Sequence, residues 1–473
     1  MKSGSERGSV FEQFDAFAWL WAAGTLWHMA SYSERPSLTT AAMVLLAFAV
    51  LFGVARTRLF LILLAAHAYY VFERLPNVPN HSILAACIDL TILTAAAHSA
   101  AVTRSWHIDP SALYKRFAPL VRIELLALYF FAVFHKLNTG FFHPEDSCAV
   151  FMYARLAEEY RMLPDPNALG RLWLIYGTVL VEAAIPIMLV ARGLRIAGLL
   201  LAFGFHLALA LDPGDVVFNF SAMLLALYLL FLPDGFASAT MEALAPLRRW
   251  WDRAPGMLRL VGGSVIYVGV PAFIVLLIYR FDIPVGLTYR AARGAWVVYA
   301  SLTLAAFLVT LKRSRVMLQS TRQLLEVPTP ALLIFPALLV VNGALPYLGS
   351  KTETSFGMYS NLRTEGGVSN HWLMPVSLQI WDYQRDLVRV HRTSVPRMRR
   401  FIDRGFQWTY FEFRWLMQAN PDASVVYERN GVVKRVRRAK DDPELAYQAD
   451  GTLRKLLKFR PVSIDPERSP CIH

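Results

Sequence analysis

The side chains of this sequence best suited to chemistry are polar groups lodged in or beside long apolar stretches. Burying such a group costs several kcal/mol unless it is paired or reached by water. The strongest cluster is YFFAVFHKLNTGFF at 129–142, where His135 and Lys136 close an apolar run that also carries Arg122 and Glu124 toward its other end. An amine in a partly dry pocket can act as a general base. The plainer reading is that Lys136 snorkels to a membrane interface and marks the end of a helix. A second group is the run Leu75 to Ser82, in which Asn80 can cap a helix and leave His81 in its first turn. Capping accounts for the asparagine but not for the histidine. His206 falls in the middle of GLLLAFGFHLALALD, and Glu182 lies within VLVEAAIP. A neutral histidine bonded to a neighbouring helix explains the first equally well. Glu182 is costlier if ionised, and it can pair with a histidine or hold a proton.

These groups must be positioned by membrane helices. The chain has 473 residues, of which 55% are hydrophobic and 18% charged, and its mean hydropathy is +0.38. Soluble domains carry about 25% charged residues, so an ordinary soluble enzyme is a poor fit, as are disordered and collagen-like chains. Apolar stretches at about 16–30, 38–54, 58–73, 81–101, 118–138, 170–190, 195–212, 215–232, 258–279, 293–310 and 327–345 approach the roughly 17–25 residues that span a bilayer. Two of them, 58–73 and 195–212, are short or carry histidine. The expectation is an all-α polytopic membrane protein of about 9–11 transmembrane helices. The first stretch has no small-residue cleavage site close behind it and reads as a retained helix.

Net charge is +13, from 48 Lys and Arg against 35 Asp and Glu. No zinc-finger, RNP or helix-turn-helix pattern accompanies it, so nucleic acid is not an expected partner. Basic residues instead gather in alternate loops. Arg56 and Arg58; Arg104, Lys115 and Arg116; Arg192 and Arg195; Arg248, Arg249 and Arg253; and Lys312, Arg313, Arg315 and Arg322 would face the cytoplasm. Glu145, Asp146, Glu158 and Glu159 would lie outside, and the loop with Arg280, Arg290 and Arg293 breaks the pattern. The N-terminus is then cytoplasmic, and the Lys136 side and the C-terminal region are periplasmic or extracellular.

Composition divides the chain into a membrane domain over 1–348 and a small extramembrane α+β domain over 349–473. The latter includes FQWTYFEFRWLMQA at 406–419, and in VVYERNGVVKRVRR the pair Asn430-Gly431 predicts a hairpin turn. The segment LPYLGSKTETSFGMYSNLRTEGGVSNHWLMP at 345–375, with Arg363, Glu365 and His371, is placed to fold over a pocket or simply to join the two domains. The only cysteines are Cys87, Cys148 and Cys471. If the outer loop and the tail share an oxidising compartment, Cys148 and Cys471 can bridge, while Cys87 reads as a small buried hydrophobe. His28, His67, His98 and His107 also lie in or near apolar stretches. The clustered HxxxH and HxxHH spacings of a membrane di-iron centre do not occur, so no metal is expected.

Four of these segments together carry a resemblance. FFAVFHKLNTGFF is similar to the catalytic-lysine segment of the vitamin K-dependent gamma-carboxylase family. PNHSIL resembles that family's Asn-His-Ser segment, FHLALALDPGDVVFNFSAMLLALYLLFLPDGF its histidine-bearing helix pair, and SFGMYSNLRTEGGVSNH the stretch after its last membrane helix. Bacterial members of the wider class are called horizontally transferred transmembrane domain (HTTM) proteins. The resemblance covers roughly residues 10–375 and points to a bacterial inner membrane.

It implies Lys136 as the base toward reduced vitamin K, a menaquinol-like hydroquinone, with His81 stabilising the developing anion. Asn80, His135, His206, Arg363 and His371 would line the cofactor site. The implied chemistry couples oxygenation of the quinol to removal of a glutamate Cγ proton and addition of carbon dioxide. A membrane setting suits a prenylated quinone and a base that water would quench. Partners would be membrane lipid, the quinone and a peptide or protein glutamate acceptor. Two departures stand out: His135 replaces the first of the family's two adjacent lysines, and the extramembrane region is far smaller than the family's. The alternatives are a non-catalytic HTTM protein binding a lipid or quinone, and a small-molecule transporter. The latter is disfavoured by the absence of internal repeats.

Overall fold

The computed structural model describes residues 12–32, 37–54, 56–279, 285–313, 318–446 and 451–472. The positions of residues 1–11, Arg280 and Arg315, used above to orient the chain, lie outside them. In chain order the helices of the first 350 residues are α1 (Gln13–Tyr32), α2 (Leu38–Leu51), α3 (Arg56–Arg74), α4 (Asn80–Thr103), α5 (Pro110–Phe134), α6 (Cys148–Glu159), α7 (Ala168–Val190), α8 (Arg195–Leu209), α9 (Phe218–Leu229), α10 (Phe236–Arg253), α11 (Gly256–Ser264), α12 (Val270–Tyr279), α13 (Val285–Arg313), α14 (Thr321–Leu325) and α15 (Ile334–Ala344). A single π-helical turn joins α11 to α12, and a 3-10 turn leads into α15. Each of the eleven apolar stretches coincides with a helix. Five helices are long and apolar enough to cross a membrane by length and composition: Asn80–Thr103, Pro110–Phe134, Ala168–Val190, Gly256–Tyr279 and Gly286–Arg313. Shorter apolar helices span Leu38–Leu51, Arg195–Leu209, Phe218–Leu229 and Pro330–Ala344.

Three of the helices were not anticipated, the short α14 among them. α6 and α10 are amphipathic, and their charged residues read as loop. The 118–138 stretch is also displaced: α5 starts earlier and stops at Phe134, leaving His135 and Lys136 in a turn. Asn138 ends the helix, because its Nδ2 donates to the His135 carbonyl at 2.7 Å while its Oδ1 accepts from Phe141 N–H at 2.8 Å.

The chain forms two compact units. The first comprises 1–70, 86–125 and 184–335. Its centre is α1, packed along α9 and against α2 and α12, with Phe14 and Phe17 meeting the ring of Phe60, and Phe17 also those of Phe117 and Trp21. Several buried polar groups there are paired. Asp89 accepts from Trp21 Nε1 at 3.1 Å and pairs with His67 at 2.6 Å. Thr91 donates to Glu124 at 2.6 Å, and Arg122 donates to the carbonyls of Leu230 and Leu324. Arg195 donates to the last carbonyls of α7, Leu189 and Val190, where unpaired C=O groups attract a cation.

The second unit comprises 71–85, 126–183 and 336–473, and therefore takes in the whole of 349–473. It holds a five-stranded antiparallel sheet of β1 (Leu387–Thr393), β2 (Phe406–Thr409), β3 (Val425–Arg429), β4 (Val432–Val436) and β5 (Val462–Ser463), in the order β4-β3-β1-β2-β5. The expected hairpin joins β3 to β4, with Asn430 and Gly431 both left-handed at φ 51° and 76°, the signature of a type I′ turn. Helices α16 (Pro396–Asp403) and α17 (Tyr410–Gln418) belong to the same core, which contains Val388, Val390, Met398, Trp408, Phe413, Met417, Val425 and Tyr427. Phe413 is fully buried, with its ring 4.7 Å from that of Tyr427. Phe413→Ala should cost about 3–5 kcal/mol, read as an earlier denaturant midpoint for the Trp408 fluorescence change. An unshifted midpoint would contradict this packing.

Candidate functional site

Lys136 is 3% exposed, and its Nζ lies 2.7 Å from Glu182 Oε2 of α7. It also donates to the Ala132 carbonyl at 3.1 Å and faces the Phe141 ring at 5.8 Å. Lys136 thus turns inward instead of snorkelling. Glu182, for which a histidine partner was one expectation, pairs with the lysine. Two charges taken out of water stay ionised only if each neutralises the other. The same proton can sit on the carboxylate, and that form leaves a neutral amine.

Beside this pair runs the segment after α15. Thr354, Phe356, Tyr359 and Asn361 all have left-handed backbones, with φ of 59°, 66°, 50° and 54°. Each such residue costs about 1–3 kcal/mol unless its surroundings impose it. They do. Asn80 Oδ1 accepts from Phe356 N–H at 2.6 Å, His135 bonds the Ser355 carbonyl at 2.9 Å, and Asn138 donates to the Ser360 carbonyl at 2.6 Å. Asn342 donates to the Thr354 carbonyl at 2.8 Å. Asn361 accepts from Cys148 N–H and donates to the carbonyls of Asp146 and Ser469. Further on, Thr139 N–H donates to Asn370 and Trp372 N–H to Leu137, with a bridge between Asn138 and His371. The 354–372 segment is therefore laced to the residues on either side of Lys136.

The expected site residues divide accordingly. Asn80 begins α4 and holds the Phe356 backbone, and His81 is buried in the first turn behind it. The ring of His135 is fully engaged: a carbonyl can only accept, so Nε2 donates to Ser355 while Nδ1 accepts from the Tyr347 hydroxyl at 2.7 Å. Burial, the dominant cause, lowers His135 to about 3 and raises the Tyr347 phenol, so both stay neutral. His371 donates from Nε2 to the Phe134 carbonyl at 2.8 Å and accepts at Nδ1 from Leu373 and Met374. Burial lowers it as well. Arg363 reaches away from the pair to the Asp465 carbonyl at 2.7 Å and anchors the tail. His206 belongs to the first unit, among the rings of Phe205, Phe220 and Tyr228.

The tail is also tied covalently. Cys148 and Cys471 form a disulfide, and Arg468 makes a two-pronged ion pair with Asp146. Sequence reasoning missed Asn138, Asn361 and Asn370 as organisers of the site. Their one signal was residue type, since asparagine tolerates left-handed backbone and bonds nearby main chain. Compared with known family models, curated proteins and solved structures, the chain matches none.

The His135 environment sets an acid limit on stability. Above pH 6.5, its ordinary value, the imidazole is neutral whether folded or unfolded, and its contribution is complete. As pH falls from 6.5 toward 3, the unfolded chain takes up a proton that the folded one refuses, so stability is lost across that window. His135→Asn should lower the thermal midpoint at neutral pH and flatten its decline on acidification. Equal slopes for variant and wild type would contradict the assignment.

Proposed function

We propose that this chain is a quinol-dependent integral membrane enzyme of the gamma-carboxylase-like type, with Lys136 as its base. The observation that carries the reading is the buried Lys136–Glu182 pair at 2.7 Å. An amine kept out of water beside a carboxylate is a poor investment for stability alone, but it suits proton transfer in a dry site. The surroundings fit a hydroquinone: amine and carboxylate for a ring hydroxyl, and the rings of Phe134, Phe141, Tyr347 and His371 nearby for an apolar body. When bound, the reduced quinone supplies an acidic hydroxyl and, with oxygen, the oxidative driving force.

The proton path through the protein is short. Nζ of Lys136 passes its proton to Glu182 Oε2, and the freed amine accepts the hydroxyl proton of the ligand. His81 offers a ring N–H to the negative charge that develops. His135 and His371, with their ring nitrogens committed, hold the 354–372 segment in place instead of touching the ligand. In this reading some 9–11 helices span a bacterial inner membrane, with the N-terminus cytoplasmic and Lys136 and the 349–473 region periplasmic. Carboxylation would need a further step, in which the oxidation of the quinol drives removal of the Cγ proton of a glutamate-like acceptor and carbon dioxide adds to the carbon left behind.

A second reading is a quinone- or lipid-binding protein without turnover. It is favoured by the closed ion pair, which leaves the amine neutralised at rest. The test is epoxide formation from reduced vitamin K and oxygen by the purified protein in nanodiscs. Lys136→Ala should reduce the rate by about 10²–10⁴-fold, the usual worth of a general base, and Glu182→Gln should reduce it too. An undiminished rate in Lys136→Ala would overturn the proposal, and a folded wild type that binds quinone without making epoxide would establish the second reading.

A further inference from the structure

A separate cavity of about 240 Å³ lies in the second unit, among α16, α17 and the segment 458–461 that leads into β5. Its apolar wall includes Phe401, Trp408, Trp415 and Phe459. Five charged side chains line it as well: Glu353, Arg397, Glu412, Lys458 and Arg460, the last of which is held by Glu365 at 4.0 Å and by the Thr352 carbonyl at 3.3 Å. They are unequally buried. Glu412 is 7% exposed, whereas Glu353 and Lys458 are partly exposed and Arg397 is exposed. Glu412 is fixed from both ends. Its backbone N–H bonds the Thr409 hydroxyl that caps α17, and its Oε2 accepts from Phe459 N–H at 3.1 Å.

A carboxylate this deep has a cost that only a compensating charge removes. With Arg460 paired to Glu365, the charges left to a ligand are those of Arg397, Lys458, Glu353 and Glu412, which sum to zero. An apolar amine alone would meet the two basic side chains, and an apolar acid alone the two carboxylates. A ligand carrying both charges and a hydrophobic body satisfies the whole lining. The volume admits roughly a dozen heavy atoms, since small-molecule sites run from about 300 Å³ upward for larger ligands.

We propose that this cavity binds a small zwitterion with an apolar side chain, of the class of a free aromatic or branched α-amino acid. The ammonium lies against Glu412, the carboxylate toward Arg397 and Lys458, and the side chain on the two tryptophans, where aromatic faces also attract the cation. None of these residues belongs to the group around Lys136, and the inference stands apart from the quinol reading. Burial, the largest cause, raises Glu412 to about 7, with the Phe459 N–H and Lys458 opposing it, Glu353 adding to it and Arg397 opposing it. An ionised Glu412 is the form that binds, so affinity should rise as pH increases through 7.

Binding is measured by tryptophan fluorescence and calorimetry on the full chain in detergent, with L-phenylalanine and L-leucine as probes. Phenethylamine and 3-phenylpropionate serve as the singly charged halves. The expected result is that an amino acid binds at least tenfold more tightly than either half, and that Glu412→Gln loses at least tenfold while unfolding at a temperature close to wild type. Trp415→Phe should keep binding but reduce the fluorescence change. Should Glu412→Gln unfold, Arg397→Met, at an exposed position, carries the same test through loss of preference over phenethylamine. Binding of one half as tightly as the amino acid, or no binding of either amino acid to folded wild type, would overturn the proposal.

Discussion

A lysine and a glutamate buried together make a demand that the rest of the second unit meets. Neither Lys136 nor Glu182 can keep its charge in a low-dielectric setting without the other, and their 2.7 Å contact requires the turn after α5 and the middle of α7 to be held in register. Asn138 fixes that turn by closing α5 four residues past Phe134. Two further bonds fix the covering segment: Asn80 holds Phe356, and His135 holds Ser355. The four left-handed residues between 354 and 361 store strain that these bonds offset. The Cys148–Cys471 disulfide and the Arg468–Asp146 pair then fasten the last residues of the chain to the same place.

The buried histidines have different tasks although their sequence contexts look alike. His135 and His371 spend both ring nitrogens on main chain and a tyrosine, and they act as struts. His67 completes a carboxylate in the first unit. His81 sits in the first turn of α4, next to the asparagine that grips the covering segment. The chemistry proposed for the site therefore rests on few groups, namely Lys136, Glu182 and His81, with the others setting geometry.

Much of the helical framework was legible because apolar runs of membrane length have few other ways to satisfy their backbone. All eleven stretches became helices, and Asn430-Gly431 turned where that dipeptide should. The amphipathic helices α6 and α10 were hidden by charges on their exposed faces. The end of α5 was misplaced because His135 to Asn138 include no Gly or Pro to stop a helix, while the signal that stops it is a hydrogen bond from Asn138. Pairing of Lys136 with Glu182, 46 residues away, left no local trace. The same holds for the Cys148–Cys471 link across 323 residues, which a shared oxidising compartment could suggest but spacing could not.

The ion pair is the claim on which the account stands, and a double-mutant cycle on stability addresses it without any ligand. Lys136→Met and Glu182→Met, alone and together, would be compared by unfolding in the same lipid. Each single change strands a buried charge and should cost about 3–5 kcal/mol, whereas the double change removes both charges and should cost much less than either. Strong non-additivity of that sign is the predicted result. Single losses that simply add in the double variant would contradict the pairing, and with it the dry proton-transfer site built around Lys136.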